Sequence, residues 1–140
     1  MQLEAYLHFG GNCEEALNFY KSVFGGDIIS LNRFEGSPLM SDLPADYANK
    51  IMHATYRGDD GLTFMASDGR PDSTHVDDRS RVSLSVSTTD VAEGERVFRA
   101  LSAGGKVTMD WQKTFWGATF GMLTDKYGID WMVNAGPGSD

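Results

Sequence analysis

One cysteine, Cys13, stands in a chain of 140 residues, which excludes an intrachain disulfide and any zinc site built on several thiolates. Cys13 is left as either a lone nucleophile or a buried thiol, and free cysteine is among the most buried residue types. Basic residues are also scarce. Twelve Lys and Arg against 20 Asp and Glu give a net charge of −8, so the chain repels phosphate backbones and anionic lipid headgroups unless its cations cluster, and in the sequence they do not. No nucleic-acid or membrane partner is expected. No apolar run approaches the ~20 residues of a spanning helix, and the opening MQLEAYLHF lacks the basic flank and apolar centre of a signal peptide. A cytoplasmic protein is therefore expected. Two nucleotide signatures are missing as well: there is no P-loop, and no G-x-G-x-x-G turn between a strand and a helix.

What is present is core material and turn residues. Hydrophobic residues make up 41% of the chain, enough for one compact domain, and sixteen glycines suit a protein rich in tight turns. The stretch 106–134, KVTMDWQKTFWGATFGMLTDKYGIDWMVN, reads as three strands, Val107 to Trp111, Trp116 to Leu123 and Ile129 to Asn134. The turn Asp125-Lys126-Tyr127-Gly128 precedes the last of them. All three tryptophans, Trp111, Trp116 and Trp131, lie in this stretch.

Earlier in the chain, Leu3 to Phe9 reads as a strand and Asn12 with Glu15 as a capping box. Cys13, Ala16, Leu17, Tyr20, Val23 and Phe24 then recur at helical spacing until Gly25-Gly26. Asp27 to Phe34 is a second strand. Residues 35–50 show no period and contain two prolines, so they are expected to be a loop, either a lid or a surface excursion. Ile51 to Arg57 and Leu62 to Ser67 form a hairpin around Gly58-Asp59-Asp60-Gly61. The polar, aspartate-rich run between Asp68 and Ser80 is the expected linker, centred on residues 71–79.

The second half repeats the first. Arg81 to Ser87 is a strand, Asp90 with Glu93 repeats the cap, Val91, Val97, Phe98 and Leu101 line a helical face, and Gly104-Gly105 stops it before three strands. The pattern is a duplicated βαβββ unit, over about residues 1–70 and 80–135, in an α+β domain. One helix cannot cover both faces of a sheet, so the two units are expected to pair and enclose a concave cleft where a small molecule binds.

The runs WQKTFWGATFG and TDKYGIDWMVN resemble the PhnB-like branch of the vicinal-oxygen-chelate superfamily, the glyoxalase, fosfomycin-resistance and dioxygenase group. YLHFGGNCEEALNFYKSVFGG, IMHATYRG and FMASD extend the resemblance over nearly the whole chain. It implies the paired βαβββ fold and a homodimer. In metal-using members, it also implies four ligands from the first and fourth strands of each unit. Carried over, those positions are Ala5, Met65, Arg81 and Met132, none of them a usual ligand for Zn, Ni, Fe or Mn. A metal-free cleft is thus expected. Two alternatives stay open: a metal-dependent lyase, transferase or dioxygenase with an unfamiliar ligand set, and a dimeric interaction module. Some family members carry a demethylubiquinone methyltransferase name, but this chain lacks the alternating βαβα pattern and glycine-rich turn of a dinucleotide-type fold.

Strand alternation extends the pocket. If the four carried-over positions face the cleft, so do Leu7, Phe9, Thr63, Ser67, Ser83, Ser85, Asp130 and Asn134, whereas His8 points away. Arg81 would hold a ligand carboxylate or phosphate, or pair with Asp130. His53, inside a strand, is either a pocket hydrogen-bonding group or general base, or a structural histidine. A displaced metal site from His8, His53 and His75 with Asp68 or Asp130 has no recognised ligand spacing. Trp111 and Trp116 bracket the QKTF turn, one as core and the other as a stacking wall for a planar ligand.

Overall fold

The computed structural model describes residues 1–69, 82–114 and 117–137. The expected linker 71–79 lies outside the described residues, as do Arg81, Trp116 and His75. The chain divides into two compact units, Met1–His75 and Val76–Asp140. Each is a helix on one face of a four-stranded mixed sheet, so the α+β fold of two βαβββ units is observed.

In the first unit β1 (Ala5–Phe9) leads into α1 (Cys13–Phe24) and then β2 (Asp27–Arg33), β3 (Ile51–Arg57) and β4 (Thr63–Asp68). The sheet order is β1-β4-β3-β2, with β1 parallel to β4 and the other pairs antiparallel. α1 buries Cys13, Ala16, Leu17, Tyr20 and Val23 of the expected stripe against Leu7, Phe9, Ala54, Tyr56, Phe64 and Ala66 of the sheet, while Phe24, also expected there, is half-buried. Phe64 joins Tyr20 edge-on at 5.7 Å and Tyr56 at 5.1 Å between ring centroids. Each such fully buried large side chain contributes ~1.5–3 kcal/mol relative to exposure.

The expected capping box at Asn12 is not formed, because the Asn12 side chain makes no cap bond. Asp68, at the far end of the parallel neighbour β4, does the work instead. Its Oδ1 accepts from the backbone N–H of Gly11 (3.0 Å) and Cys13 (2.9 Å), and its Oδ2 accepts from Ile51 N–H (2.9 Å). One buried carboxylate therefore ties the start of α1, the end of β4 and the start of β3 together.

Residues 35–50 are not a loose loop. They form two short 3-10 turns, Pro38–Asp42 and Ala45–Asn49, tied back by Phe34 N–H to Lys50 O and Glu35 N–H to Ala48 O. Tyr47 is buried against Phe34 and donates its hydroxyl to Gly69 O.

The second unit repeats the plan with β5 (Leu84–Thr88), α2 (Val91–Ser102), β6 (Lys106–Lys113), β7 (Thr119–Thr124) and β8 (Asp130–Ala135), in sheet order β5-β8-β7-β6. Here the N-cap half of the box forms: Asp90 Oδ1 accepts from Ala92 N–H (2.9 Å) and Glu93 N–H (3.3 Å), while Asp90 N–H donates to Thr88 Oγ1 and the Glu93 carboxylate holds Arg96 instead of closing the box. Val91 was expected on the buried face but is 40% exposed, and Gly94 lies buried with Val97, Phe98 and Leu101. The double glycines have a reason beyond stopping the helices. A Cβ on Gly26 would collide with the backbone of Arg57 and Gly58, and one on Gly105 with the backbone of Thr124 and Asp125. In both units the chain leaves its helix pressed against another strand's main chain.

Candidate functional site

Because side chains alternate across a strand, each sheet has one face under its helix and one turned away from it. On the first sheet, β1 pairs with β4 so that Tyr6 stands beside Met65 and His8 beside Ser67, while β3 places Thr55 beside Met65 on the other side. Tyr6 Oη lies 3.2 Å from His53 Nδ1, and the Tyr6 and His8 rings stack at 4.9 Å. These contacts fix one set of residues on the face turned away from α1: Tyr6, His8, His53, Thr55, Met65 and Ser67. Asn32 of β2 adjoins His53 in the same register.

Two corrections follow. Leu7 and Phe9, expected beside Met65 and Ser67, are 7% and 3% exposed and lie under α1. His8, expected to point away, shares the face with His53. The cause is parity. The carried-over ligand position Ala5 has the same parity as Leu7 and Phe9, and so lies on the helix side of β1. The alternation itself held the signal, since large apolar Leu7 and Phe9 alternate with polar-tipped Tyr6 and His8, and the apolar set goes under the helix. Tyr6 was the residue missed altogether.

On the second sheet the expected parity agrees with the register. Ser85 pairs with Met132, Ser87 with Asn134 and Thr124 with Asp130, on the face away from α2. Ser83 precedes β5 and is exposed. Asp130 Oδ1 accepts from Thr124 Oγ1 at 2.6 Å. Its proposed partner Arg81, and the stacking candidate Trp116, lie outside the described residues. Trp111 belongs to the helix side, with its ring 5.4 Å from that of Phe98 and its edge against Gly94. Trp131 is buried and donates Nε1–H to Asp125 Oδ2 at 2.8 Å.

The donor chemistry at the carried-over metal positions does not fit a divalent ion. Ala5 has no donor, and Met65 and Met132 offer thioethers, which suit soft metals. Among the described residues, no group of three or more His, Cys, Asp or Glu side chains converges.

A cavity of ≈ 600 Å³ opens elsewhere, at the start of α1, between Asn12, Glu14, Arg33, Lys50 and Asp68. Arg33, Glu14, Lys50 and Asp68 are already engaged within the protein. Arg33 bonds Glu14 in bidentate fashion, with both N–H···O distances 2.9 Å, and donates to Asn49 O at 2.8 Å, while Lys50 donates to Gly11 O at 2.7 Å. The Arg33 hydrogen bond holds the Glu14 carboxyl below its ordinary pKa. Cys13, beside this cavity, is fully buried, and burial, assisted by Asp68 and Glu14, pushes its thiol up to about 12. That disfavours the thiolate a nucleophile needs.

The chain is similar along nearly all its length to known proteins. Residues 2–134 match the family model described as 3-demethylubiquinone-9 3-methyltransferase. Protein YjdN of Escherichia coli is 34% identical, with 96% of this chain and 95% of that protein covered. The crystal structure of protein PA1353 from Pseudomonas aeruginosa is 39% identical with a TM-score of 0.80, covering 96% of this chain and 98% of that one. A PhnB protein from Bacillus cereus, titled a putative 3-demethylubiquinone-9 3-methyltransferase, is 28% identical with the same TM-score, covering 96% and 99%. At 14% identity and a TM-score of 0.69, a glyoxylase/bleomycin resistance protein/dioxygenase domain from Frankia, with 97% of both chains covered, shares the fold alone. This chain therefore belongs to the family described as 3-demethylubiquinone-9 3-methyltransferase, the PhnB-like branch of the vicinal-oxygen-chelate superfamily.

Proposed function

We propose that this chain binds a small organic molecule against the face of its first sheet turned away from α1, with no divalent metal at the four carried-over positions. The observation that supports this reading is the Tyr6–His53 contact with His8 stacked alongside. Two imidazoles and a phenol are gathered on one face, apart from the apolar core under α1. Tyr6 is 37% exposed, so its ring is available to a ligand. Met65 gives the face an adaptable apolar surface, and Thr55 and Ser67 give it hydroxyls. The combination suits a ligand with a flat or apolar body and a polar edge.

The methyltransferase description does not guide this reading. Methyl transfer from a nucleoside-type donor needs a site for that donor, and the sequence has no glycine-rich strand-to-helix turn. A homodimer belongs to the proposal, because two short sheets leave strand edges that a second copy could cover. Light scattering at micromolar concentration tests it, and a monomer there would remove it.

The main test is a thermal-shift screen of small organic acids, thiol conjugates and phosphonates, since a ligand of the native state raises the midpoint by mass action. A hit should lose its shift in Tyr6→Phe and His53→Ala. A hit that both variants retain would move the site elsewhere. Elemental analysis checks the metal-free part: one equivalent of Ni, Zn, Fe or Mn, lost with ligand binding on chelation, would overturn it.

A further inference from the structure

We propose that the second sheet carries a site for a soft monovalent metal ion, Cu(I), made by the thioethers of Met109, Met122 and Met132. Met109 pairs with Met122 across β6 and β7, and Met122 pairs with Met132 across β7 and β8. Three methionines thus stand abreast on adjacent strands, on the face turned away from α2. Strands lie ~4.8 Å apart in a sheet, so the outer two side chains start about 10 Å from each other with the third between them. Methionine has three rotatable side-chain bonds, enough to bring three sulfurs to one point above the middle strand.

None of the three is consumed by the core. Met109 is 40% exposed and the other two are half-buried, whereas the helix side of the same strands holds Leu123, Trp131 and Val133, all essentially buried. A sheet face needing only apolar cover would be served by Ile or Val, which have higher strand propensity. Thioether sulfur is a soft, neutral donor that selects Cu(I) over Zn, Mn or Mg. Asp130, two residues before Met132 on the same face, puts a carboxylate near the row, held by Thr124 Oγ1 at 2.6 Å. The chain has seven methionines, and among the described residues these three alone pair in one row. The site differs in metal and ligands from the four-position set implied by the family, and it does not depend on the reading of the first sheet.

Neutral thioethers have no proton to lose, which separates this site from one built on imidazole or thiolate. Affinity should stay constant from pH 5.5 to 8. The test is an anaerobic titration of the full chain with Cu(I) held by bicinchoninate, followed as the coloured complex bleaches. One equivalent should pass to the protein. Met122→Leu and Met132→Leu, which keep side-chain volume, should each weaken transfer at least tenfold, and Cys13→Ser should leave it unchanged. Should a Leu variant fail to fold, the wild type decides: Ag(I) should shift the ε-methyl NMR signals of Met109, Met122 and Met132 and leave those of the other four in place. No transfer, transfer equal in folded Leu variants, or loss in Cys13→Ser would overturn the proposal, as would Ag(I) shifts confined to other methionines.

Discussion

Tyr6 Oη approaches His53 Nδ1 at 3.2 Å, although β1 and β3, which carry them, are not neighbours: both pair with β4, and the contact crosses over it. If the phenol donates, Nδ1 is the acceptor and neutral His53 carries its proton on Nε2. Nitrogen-15 NMR of the imidazole should report that tautomer in the wild type and a mixture in Tyr6→Phe. The contact is solvent-accessible, so Tyr6→Phe should change stability by no more than ~1 kcal/mol. A larger loss in a denaturation curve would make the pair structural.

Asp68 is 4% exposed and accepts three backbone N–H groups from two other segments. Asp68→Ala strands two buried donors, Cys13 and Ile51 N–H, and the part-buried Gly11 N–H, and a loss of about 3 kcal/mol is expected in urea denaturation. Asp68→Asn should recover part of it through its one acceptor oxygen, while its amide opposes one of the N–H donors. A loss below 1 kcal/mol for the alanine variant would mean that water replaces the carboxylate.

The Glu14–Arg33 pair sets a small pH dependence. Hydrogen bonding to Arg33 lowers the folded-state pKa of Glu14 below its unfolded value, so its contribution is present above the unfolded pKa and lost as pH falls through the folded one. Both side chains are more than a third exposed, 35% and 45%, and solvent screening holds the pair to about 0.5–1 kcal/mol. Glu14→Gln should therefore destabilise slightly at pH 7 and match the wild type near pH 2. An unchanged difference at both pH values would assign the effect to packing.

Gly94 inverts the usual rule for helices. Gly→Ala inside a helix ordinarily stabilises by about 1 kcal/mol, but a Cβ here would sit 2.5 Å from Ala135 Cβ and 3.1 Å from the Trp111 ring. Gly94→Ala should destabilise by about 1–2 kcal/mol as α2 is pushed off β8. A raised melting temperature would show that the helix can shift without cost.

Local chemistry was enough to read the element order, both helices, the duplication and the family. Apolar residues at helical spacing, β-branched and aromatic runs, and paired glycines are all local signals, and they recur in both halves of the chain. The strand Ile51–Arg57 was legible to the residue, because an alternating run and a Gly-Asp-Asp-Gly turn bound it. The parity of Ser85, Asp130 and Met132 was legible too, since Trp131 and Val133 alternate with them as unambiguous core residues.

What the tertiary structure decided were relationships between segments far apart in sequence. The N-cap of α1 comes from Asp68, 55 residues beyond Cys13, because the parallel pairing of β1 with β4 brings the end of β4 beside the start of the helix. Sequence spacing favoured Asn12, the residue next to the helix. The face of β1 was likewise settled by α1, whose apolar stripe claims Leu7 and Phe9 and leaves Tyr6 and His8 to meet His53. A strand's two faces are equivalent until a helix covers one, and a one-residue error in parity exchanges the whole set. The methionine row has the same origin: three residues on three strands become one site only when hydrogen-bond register sets them abreast.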